Sequence, residues 1–186
     1  MRFFVTILIA LSLLVLVFVL IIKGFSNHPS QTAPQPLTSY SATDTSMQFV
    51  ISGPVSADQN HQAVTMDISQ TQAQINIIQG YQGQIINSKN YINNESAYLN
   101  FLSALQLAGF SKGTSNLYTT ADLGACSFGD RYNLQIINGT GQTIQNYWAD
   151  SCSNGDGTFK GLLNTVEQLF IAQIPDYGDL TNGVNI

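Results

Sequence analysis

The chain has 186 residues, only 9% of them charged, and a formal net charge of −5 at pH 7. Charged residues make up about 25% of an ordinary soluble domain, so polarity here rests on uncharged side chains, including 16 Asn and 17 Gln. Binding to nucleic acid requires basic patches, and attraction to anionic lipid requires polybasic segments. We therefore expect no nucleic-acid partner, and membrane contact must come from an apolar segment.

An apolar segment opens the chain. The run FFVTILIALSLLVLVFVLII, residues 3–22, spans about 30 Å as a helix, which matches the hydrocarbon thickness of a bilayer. No small-x-small cleavage site follows it, as a cleaved signal peptide would require. We expect residues 1–23 to be an uncleaved transmembrane signal anchor that contacts the lipid bilayer through residues 3–22.

The distribution of basic residues predicts the orientation of this anchor. No Lys or Arg occurs between Gly24 and Ser88, whereas cytoplasmic flanks are enriched in both. We expect a single-pass protein of the cell membrane with a cytoplasmic N-terminus and an extracytoplasmic C-terminal domain. Such a compartment permits disulfides.

Changes in composition predict three parts after the anchor. Residues 24–46 are rich in Pro, Ser, Thr and Gln and lack apolar periodicity, as in a flexible linker. Residues 47–180 are long enough for one domain with its own core. Residues 181–186 are predicted to form a tail.

The domain begins with strand signals. The segments MQFVISG (47–53) and AVTMDIS (63–69) are predicted to be strands, the second because its apolar residues alternate with a period of two. The segment QINIIQGYQGQIINSKNYI (74–92) fits one long strand broken near Gly80 and Gly83, or two strands joined by a tight turn there.

Two later segments have helical periodicity. In NNESAYLNFLSALQLAGF, Asn93 or Asn94 is the predicted N-cap, and Gly109 fits the C′ position that follows the helix. The second helix is predicted to be capped by Thr158 and stopped by Pro175. Its apolar stripe consists of Phe159, Leu162, Leu163, Val166, Leu169 and Phe170. Gly161 weakens such a helix and is explained only by close packing.

Between the helices lies a predicted hairpin. Residues 131–137 and 142–149 are rich in β-branched and aromatic residues and flank the turn sequence NGTG. With a three-residue loop, 138–140, paired positions sum to 278, and Cys126 faces Cys152 within reach of a disulfide. A loop of two or four residues would offset the cysteines by one position. We predict the disulfide; two free thiols are the alternative, and a metal site is a poor third option.

The order of these elements predicts an α+β fold. Two amphipathic helices on one face of an antiparallel sheet would bury both apolar stripes and give a two-layer domain. The other face of the sheet is then the candidate working surface.

No residue pattern indicates catalysis, and we predict no catalytic, cofactor-binding or metal-binding residues. The two histidines, His28 and His61, lie in linker and turn sequences and are expected to be solvated. The acidic residues Glu167, Asp176 and Asp179 lack a partner motif for glycoside hydrolysis. The run DSCSNGDGTFKG lacks the final Glu of a calcium-binding loop.

The second hairpin strand carries the one tryptophan, in the sequence NYWAD. Neighbouring residues of a strand point to opposite faces, so one of Tyr147 and Trp148 should enter the core while the other lies on the open face. An exposed aromatic side chain near Arg131 is a reasonable anchor for a partner. Arg131, Tyr147 and Trp148 are therefore the predicted interaction face, and a core position for Trp148 is the plainer alternative.

Several segments together resemble an uncharacterised family. The run NNESAYLNFLSALQLAGF, the motifs C-x-x-G-x-R-Y (126–132) and W-x-x-S-C (148–152), and the segments GTF and LFIAQIPDY are similar to single-pass, membrane-anchored extracytoplasmic domain proteins of candidate-phylum bacteria. The resemblance covers residues 51–177 and implies the same anchored architecture but no activity. The order of helix, DRY-started hairpin and Leu-rich helix is also loosely similar to the emfourin-type inhibitors of thermolysin-like proteases, which lack the anchor and the disulfide.

These patterns together predict a membrane-tethered, non-enzymatic domain that binds an envelope or surface component, either a protein or a glycan. A secreted-protease inhibitor-like domain and an enzyme with an unrecognised site are the alternatives. No cofactor is expected.

Overall fold

The described residues form six strands: β1 Ser46–Ser52, β2 Gln62–Ser69, β3 Gln72–Gln79, β4 Gln84–Ile92, β5 Arg131–Ile137 and β6 Thr143–Asp150. They form one antiparallel sheet of order β4-β3-β2-β1-β5-β6. This computed structural model describes residues 35–42, 44–117, 126–152 and 157–186, which also form three α-helices: α1 Glu95–Ala108, α2 Leu163–Ile171 and α3 Tyr177–Leu180. The predicted α+β class is confirmed.

The predicted anchor, residues 1–23, lies outside the described residues, as does the first part of the predicted linker, residues 24–34. Within the described ranges, no helix combines the length and apolar character needed to cross a bilayer.

One face of the sheet forms the core. In β1, Met47, Phe49 and Ile51 are buried, while the residues between them are half-buried. A strand that packs one face and not the other produces this period of two. The neighbouring strands continue the buried face with Val64, Met66, Ile68, Ala73, Ile75, Ile77, Leu134 and Ile136.

Both long helices contribute to this core. Phe49 of β1 stacks on Phe170 of α2 with ring centroids 5.3 Å apart, and Phe101 of α1 meets Phe170 edge-on at 5.1 Å. Aromatic pairs of this kind stabilise a core beyond the area they bury. Phe170 therefore joins α1 and α2 to the sheet.

The ends of α1 agree with the prediction. Asn94 rather than Asn93 is the N-cap, because its side chain accepts a hydrogen bond from the backbone N of Ala97 at 3.0 Å. Gly109 at the other end has a φ of 79°, a left-handed conformation that glycine adopts at least cost.

The predicted start of α2 is wrong. The helix begins at Leu163, because the segment before it extends the edge of the sheet. The hydroxyl of Thr158 accepts a hydrogen bond from the Trp148 backbone N at 3.1 Å, and Phe159 N donates to the Trp148 carbonyl at 3.0 Å. Thr158 therefore binds β6 and does not cap the helix.

Gly161 marks the closest approach of this segment to α1. A Cβ there would lie 2.4 Å from the carbonyl oxygen of Gly109 and 2.9 Å from that of Ala108. The next residue, Leu162, donates its N–H to the Ala108 carbonyl at 2.9 Å. The backbone of this segment thus contacts the backbone at the end of α1, and a side chain at position 161 would not fit between them. The close packing expected from the sequence is therefore confirmed.

The folded region extends beyond both predicted bounds. Leu37–Ala42, placed in the linker by the sequence, forms a 3-10 helix, and the buried Leu37 donates its backbone N–H to Gln106 Oε1 at 3.0 Å. At the other end, Asn185 of the predicted tail donates its backbone N–H to Gln62 Oε1 at 2.8 Å. Leu37 and the partly buried Tyr40 dock the first segment on the core, and two apolar residues in a polar segment leave no clear periodicity in the sequence.

The predicted hairpin forms, but its predicted register is wrong. Leu134 pairs with Tyr147, whereas a three-residue loop would have placed it opposite Ile144. The turn is longer because Asn138 closes it twice: its backbone N donates to the Gln142 carbonyl at 2.9 Å, and its side chain accepts from the Gln142 backbone N at 2.9 Å. A further register shift lies beside the turn.

The predicted disulfide between Cys126 and Cys152 is confirmed, with a Cα–Cα distance of 5.5 Å. It forms in spite of the changed register because the chain turns before β5, where Gly129 N donates to the Cys126 carbonyl at 3.2 Å. A Cβ at Gly129 would lie 2.5 Å from the Cys126 sulfur and 2.4 Å from the Ser151 hydroxyl. The C-x-x-G spacing is therefore a requirement of this turn.

Candidate functional site

The face of the sheet opposite the core carries a row of polar side chains that crosses all six strands. Cross-strand pairing aligns one residue from each strand. From β4 to β6 these residues are Asn90, Gln74, Asp67, Gln48, Gln135 and Asn146, here called the amide row. Neighbouring strands lie about 4.8 Å apart, so the row extends over roughly 24 Å.

Asp67 is the single ionisable residue of the amide row. Its Oδ2 accepts hydrogen bonds from Gln48 Nε2 at 3.3 Å and from the Ser46 hydroxyl at 3.1 Å. Partial burial raises the pKa of this carboxyl above its ordinary value of 3.8, although the two donors act in the opposite direction. Among the described residues the one ion pair joins Lys89 and Asp176, so no Lys or Arg there neutralises Asp67.

Hydrogen bonds also fix the amides on either side of Asp67. Gln135 Nε2 donates to Asn146 Oδ1 at 3.2 Å, and Asn146 Nδ2 donates to the Asn116 carbonyl at 3.1 Å. On the other side, Gln74 Nε2 donates to Asn76 Oδ1 at 3.3 Å. A carboxamide has two donors and two acceptor lone pairs, more than these bonds use. The row is therefore preorganised to hydrogen-bond a ligand with little further loss of side-chain entropy.

A cleft of about 260 Å³ adjoins the amide row. Its lining consists of hydroxyl, amide and carboxyl residues with one glycine, and includes Ser46, Asp67, Ser69, Gln72 and Asn138. Ser46 and Asp67 belong to both the cleft and the hydrogen-bonded centre of the row. The cleft is suited to polar groups, because it lacks the aromatic and aliphatic lining of most drug-sized ligand pockets.

The structure separates the three residues of the predicted interaction face. Tyr147 lies on the core face, 4% exposed, so it and not Trp148 is the core residue of the pair. Arg131 and Trp148 lie on the same face as the amide row and are 5% and 9% exposed. The structure therefore brings Arg131 and Trp148 to one face without presenting an exposed aromatic ring.

Arg131 is a buried cation with few partners. Its Nη2 donates to the Gly53 carbonyl at 3.4 Å, while its Nε has no hydrogen-bond partner. Asp150 faces it across the hairpin, but the Asp150 carboxylate accepts from the Cys152 backbone N at 3.0 Å. No carboxylate of the described residues lies within ion-pair distance of Arg131.

One cluster of potential metal ligands occurs in the described ranges. The ligand atoms of Cys126, Asp150 and Cys152 lie within 4.8 Å of one another. Because the disulfide joins the two sulfurs, neither is available as the thiolate that a metal ion requires.

The acidic residues considered for glycoside hydrolysis have different environments. Asp176 accepts hydrogen bonds from Lys89 and, at 3.2 Å, from the Tyr91 hydroxyl, and the bond from Lys89 lowers its pKa. The pKa of Glu167 is raised by burial and further by the charge of Asp130. Asp176 is thus held as one half of a surface ion pair.

The expectation that His61 is solvated is wrong. Its ring is 5% exposed and stacks on Tyr81 with centroids 4.1 Å apart. Tyr81 in turn donates its hydroxyl to the Ser56 carbonyl at 3.0 Å and its backbone N–H to Asp58 Oδ1 at 2.7 Å. These contacts fasten the β3–β4 turn to the loop before β2. His28 lies outside the described residues.

Sequence reasoning did not identify the amide row as a set of residues. A signal was nevertheless present, because Gln48, Asp67, Gln74 and Gln135 each lie between two apolar residues in a strand segment. That pattern places them opposite the core face. Aligning them in one row requires the register of every strand pair, which the sequence does not supply.

The comparisons with known proteins assign no function. No protein-family model matches the chain, and no curated protein sequence matches it. The resemblance to single-pass anchored proteins therefore stays a prediction, and a functional proposal rests on the residues of the polar face.

Proposed function

We propose that this protein is a membrane-tethered, extracytoplasmic, non-enzymatic binding domain and that its amide row binds a neutral envelope glycan. The observation that carries the proposal is the alignment of six amide and carboxyl side chains across six strands. A glycan offers hydroxyl and acetamido groups along its length, and each of these both donates and accepts hydrogen bonds. The row supplies the complementary groups at a regular spacing.

The chemistry of the row favours a glycan over a protein partner. Centres of protein interfaces are enriched in aromatic residues, Met and Arg, and the amide row contains none of these. Strands repeat at about 4.8 Å, a distance close to the repeat of an extended β-linked sugar chain. A ligand running across the strands from β4 to β5 would thus meet one polar side chain for each sugar unit, while Asn146 of β6, 9% exposed, supports Gln135 from beneath.

Three features support the tethered, extracytoplasmic part of the proposal. The apolar residues 3–22 are long enough to span a bilayer, and the following 65 residues, 24–88, lack Lys and Arg. The disulfide between Cys126 and Cys152 is typical of an oxidising compartment. We infer a single-pass anchor followed by a two-layer domain whose helices cover one sheet face, which leaves the polar face to the ligand.

Calorimetric titration of the full chain in detergent micelles tests the binding. The probe is a hexasaccharide of β-1,4-linked N-acetylglucosamine, which is neutral and carries one acetamido group per unit. We expect wild type to bind it and the double variant Gln48→Ala/Gln135→Ala to bind roughly tenfold more weakly, because it loses at least two hydrogen-bonding side chains.

A matched control is available on the same molecule. Gln82→Ala/Gln142→Ala removes two exposed turn glutamines that lie outside the row and should leave the affinity unchanged. Equal affinities for the two double variants, with both folded, would refute the role of the amide row. Absence of hexasaccharide binding by wild type would refute the proposed ligand class.

The proposed extracytoplasmic location of the domain is tested separately, in intact cells. Leu107 of α1 is 85% exposed, so Leu107→Cys places a reactive thiol on the domain surface. We expect a membrane-impermeant maleimide to label this variant in intact cells. Labelling that requires cell lysis would contradict an extracytoplasmic domain.

A further inference from the structure

The two edge strands of the sheet differ in whether other segments hydrogen-bond to their outer backbone groups. At the β6 edge, Asn116 N donates to the Asn146 carbonyl at 3.0 Å and Phe159 N donates to the Trp148 carbonyl at 3.0 Å. At the β4 edge, no described residue donates to or accepts from the outer backbone groups of the strand. Exposed strand edges of this kind are templates for pairing with another strand.

The hydrogen-bond pattern identifies which β4 residues face outward. Asn93 N donates to the Thr71 carbonyl at 2.9 Å, which continues the register that pairs Gln72 with Ile92. Hydrogen-bonded and non-hydrogen-bonded pairs alternate along an antiparallel ladder. The N–H and C=O groups of every second residue, namely Ser88, Asn90 and Ile92, therefore point away from β3. The ladder irregularity nearer the turn interrupts this alternation and limits the open stretch to residues 88–92.

We propose that residues 88–92 of β4 pair with the same residues of a second copy of this chain, antiparallel about a two-fold axis at Asn90. Outward-facing residues then meet outward-facing residues: Asn90 opposes Asn90 of the partner subunit, and Ser88 opposes Ile92 of the partner subunit. The three pairs can exchange about six backbone hydrogen bonds. Ile92, whose side chain is 99% exposed in one chain, gains a neighbour in the pair.

The charges of the edge select the register in which two copies can pair. Lys89 is the one charged residue of β4. A two-fold axis at Lys89 would oppose two like charges, which is destabilising. An axis at Asn90 instead sets Lys89 opposite Tyr91 of the partner subunit, and Lys89 already lies 5.5 Å from the centroid of its own Tyr91 ring, a distance typical of cation–π contacts.

The same axis makes the polar faces continuous. Asn90 is the β4 end of the amide row, so pairing at Asn90 joins two rows of six into one row that crosses twelve strands. The pairing stands on the open edge and its charges alone and does not depend on the proposed glycan. The two proposals can therefore fail separately.

Cross-linking of the full chain in detergent micelles, without any glycan, tests the pairing. Asn90→Cys places one free thiol at the axis, and a short bis-maleimide should convert it to a covalent dimer that persists on a reducing gel. Leu107→Cys, 85% exposed on α1, is the comparator. We expect a several-fold higher dimer yield for Asn90→Cys. Equal yields, or cross-linking of Asn90→Cys only to a different protein, would overturn the proposal.

Charge complementation tests the register. Two differently tagged chains are co-expressed, and the fraction that co-purifies is measured for Asn90→Lys with itself, Asn90→Asp with itself, and the two together. Charges directly opposite across strands change pairing by roughly 0.2–1 kcal/mol, so each like-charged combination should co-purify about 1.4- to fivefold less than the mixed one. A mixed combination no better than the like-charged ones would refute pairing at Asn90.

Discussion

The two faces of the sheet are built from the same strands but differ in chemistry: one packs the apolar core, and the other carries hydrogen-bonded polar side chains. On the core face, Phe49 and its neighbours are buried against Phe101 and Phe170 of the helices. On the polar face, one residue away along the same strand, Gln48 hydrogen-bonds to Asp67 at 3.3 Å. The comparison indicates that apolar burial on the first face stabilises the fold, while half-buried residues of the second, such as Gln48, present hydrogen-bonding groups.

The largest expected effect is on the core face. Phe170→Ala removes the ring that contacts both β1 and α1, and we expect the free energy of unfolding to fall by about 3–5 kcal/mol. Urea denaturation of the full chain in micelles measures this. Leu107→Ala, at an 85% exposed position of α1, is the control and should change it by less than about 0.5 kcal/mol. A Phe170→Ala loss below about 1 kcal/mol would show that the two faces do not differ as described.

The disulfide should contribute almost as much, independently of either face. Cys126→Ser/Cys152→Ser opens a loop with a sequence separation of 26, and the chain-entropy relation gives a loss of about 3.5 kcal/mol. Comparing the urea midpoints of oxidised wild type and of the double variant measures it. Equal midpoints would mean that the hairpin needs no covalent closure.

A smaller, pH-dependent effect is expected at the centre of the polar face. Burial raises the pKa of Asp67 above 3.8, which means that the folded protein holds the protonated carboxyl more tightly than the unfolded chain does. The free energy of unfolding that this proton contributes is therefore lost as the pH rises through the folded-state pKa. Asp67→Asn keeps an oxygen acceptor and removes the charge. It should stabilise the protein at pH 7 by about 1 kcal/mol or less, with the gain vanishing below pH 3.8.

Thermal unfolding of both proteins from pH 3 to pH 7 checks this prediction. A gain that is constant across the range, or one that grows as the pH falls, would contradict a raised pKa at Asp67.

The smallest effect on stability is expected within the rest of the amide row. Gln135→Ala removes its bond to Asn146 and should cost about 0.5 kcal/mol, the low end for a hydrogen bond that water can partly replace. The same urea titration measures it, with Gln142→Ala in the turn as the control. A cost near that of Phe170→Ala would assign the row a structural role.

Local sequence signals predicted the elements better than their pairing. The caps of α1 and the strands of the β3–β4 hairpin follow from the residues themselves. The predicted register of the β5–β6 hairpin was wrong because the Asn138 side chain closes a longer turn. The predicted start of α2 was wrong because Thr158 and Phe159 bind the neighbouring β6. This is a tertiary contact that no local pattern encodes.

The candidate site was harder to predict for the same reason. The two-sided alternation around Gln48 and Gln135 assigns each to the polar face, but their common row depends on five cross-strand registers. The aromatic residue Trp148 led to the prediction of an interaction face on the hairpin, whereas in the structure Trp148 is only 9% exposed. Single residues with distinctive chemistry were visible in the sequence, and a row of ordinary amides was not.

The side-chain amide NMR signals of the full chain in micelles provide the most direct test of the polar face. On addition of the N-acetylglucosamine hexasaccharide, we expect the NH₂ resonances of Gln48, Gln74 and Gln135 to shift together, while those of Gln82 and Gln142 stay in place. Shifts confined to the turn glutamines, or none at saturating hexasaccharide, would contradict the assignment of the amide row as the binding surface.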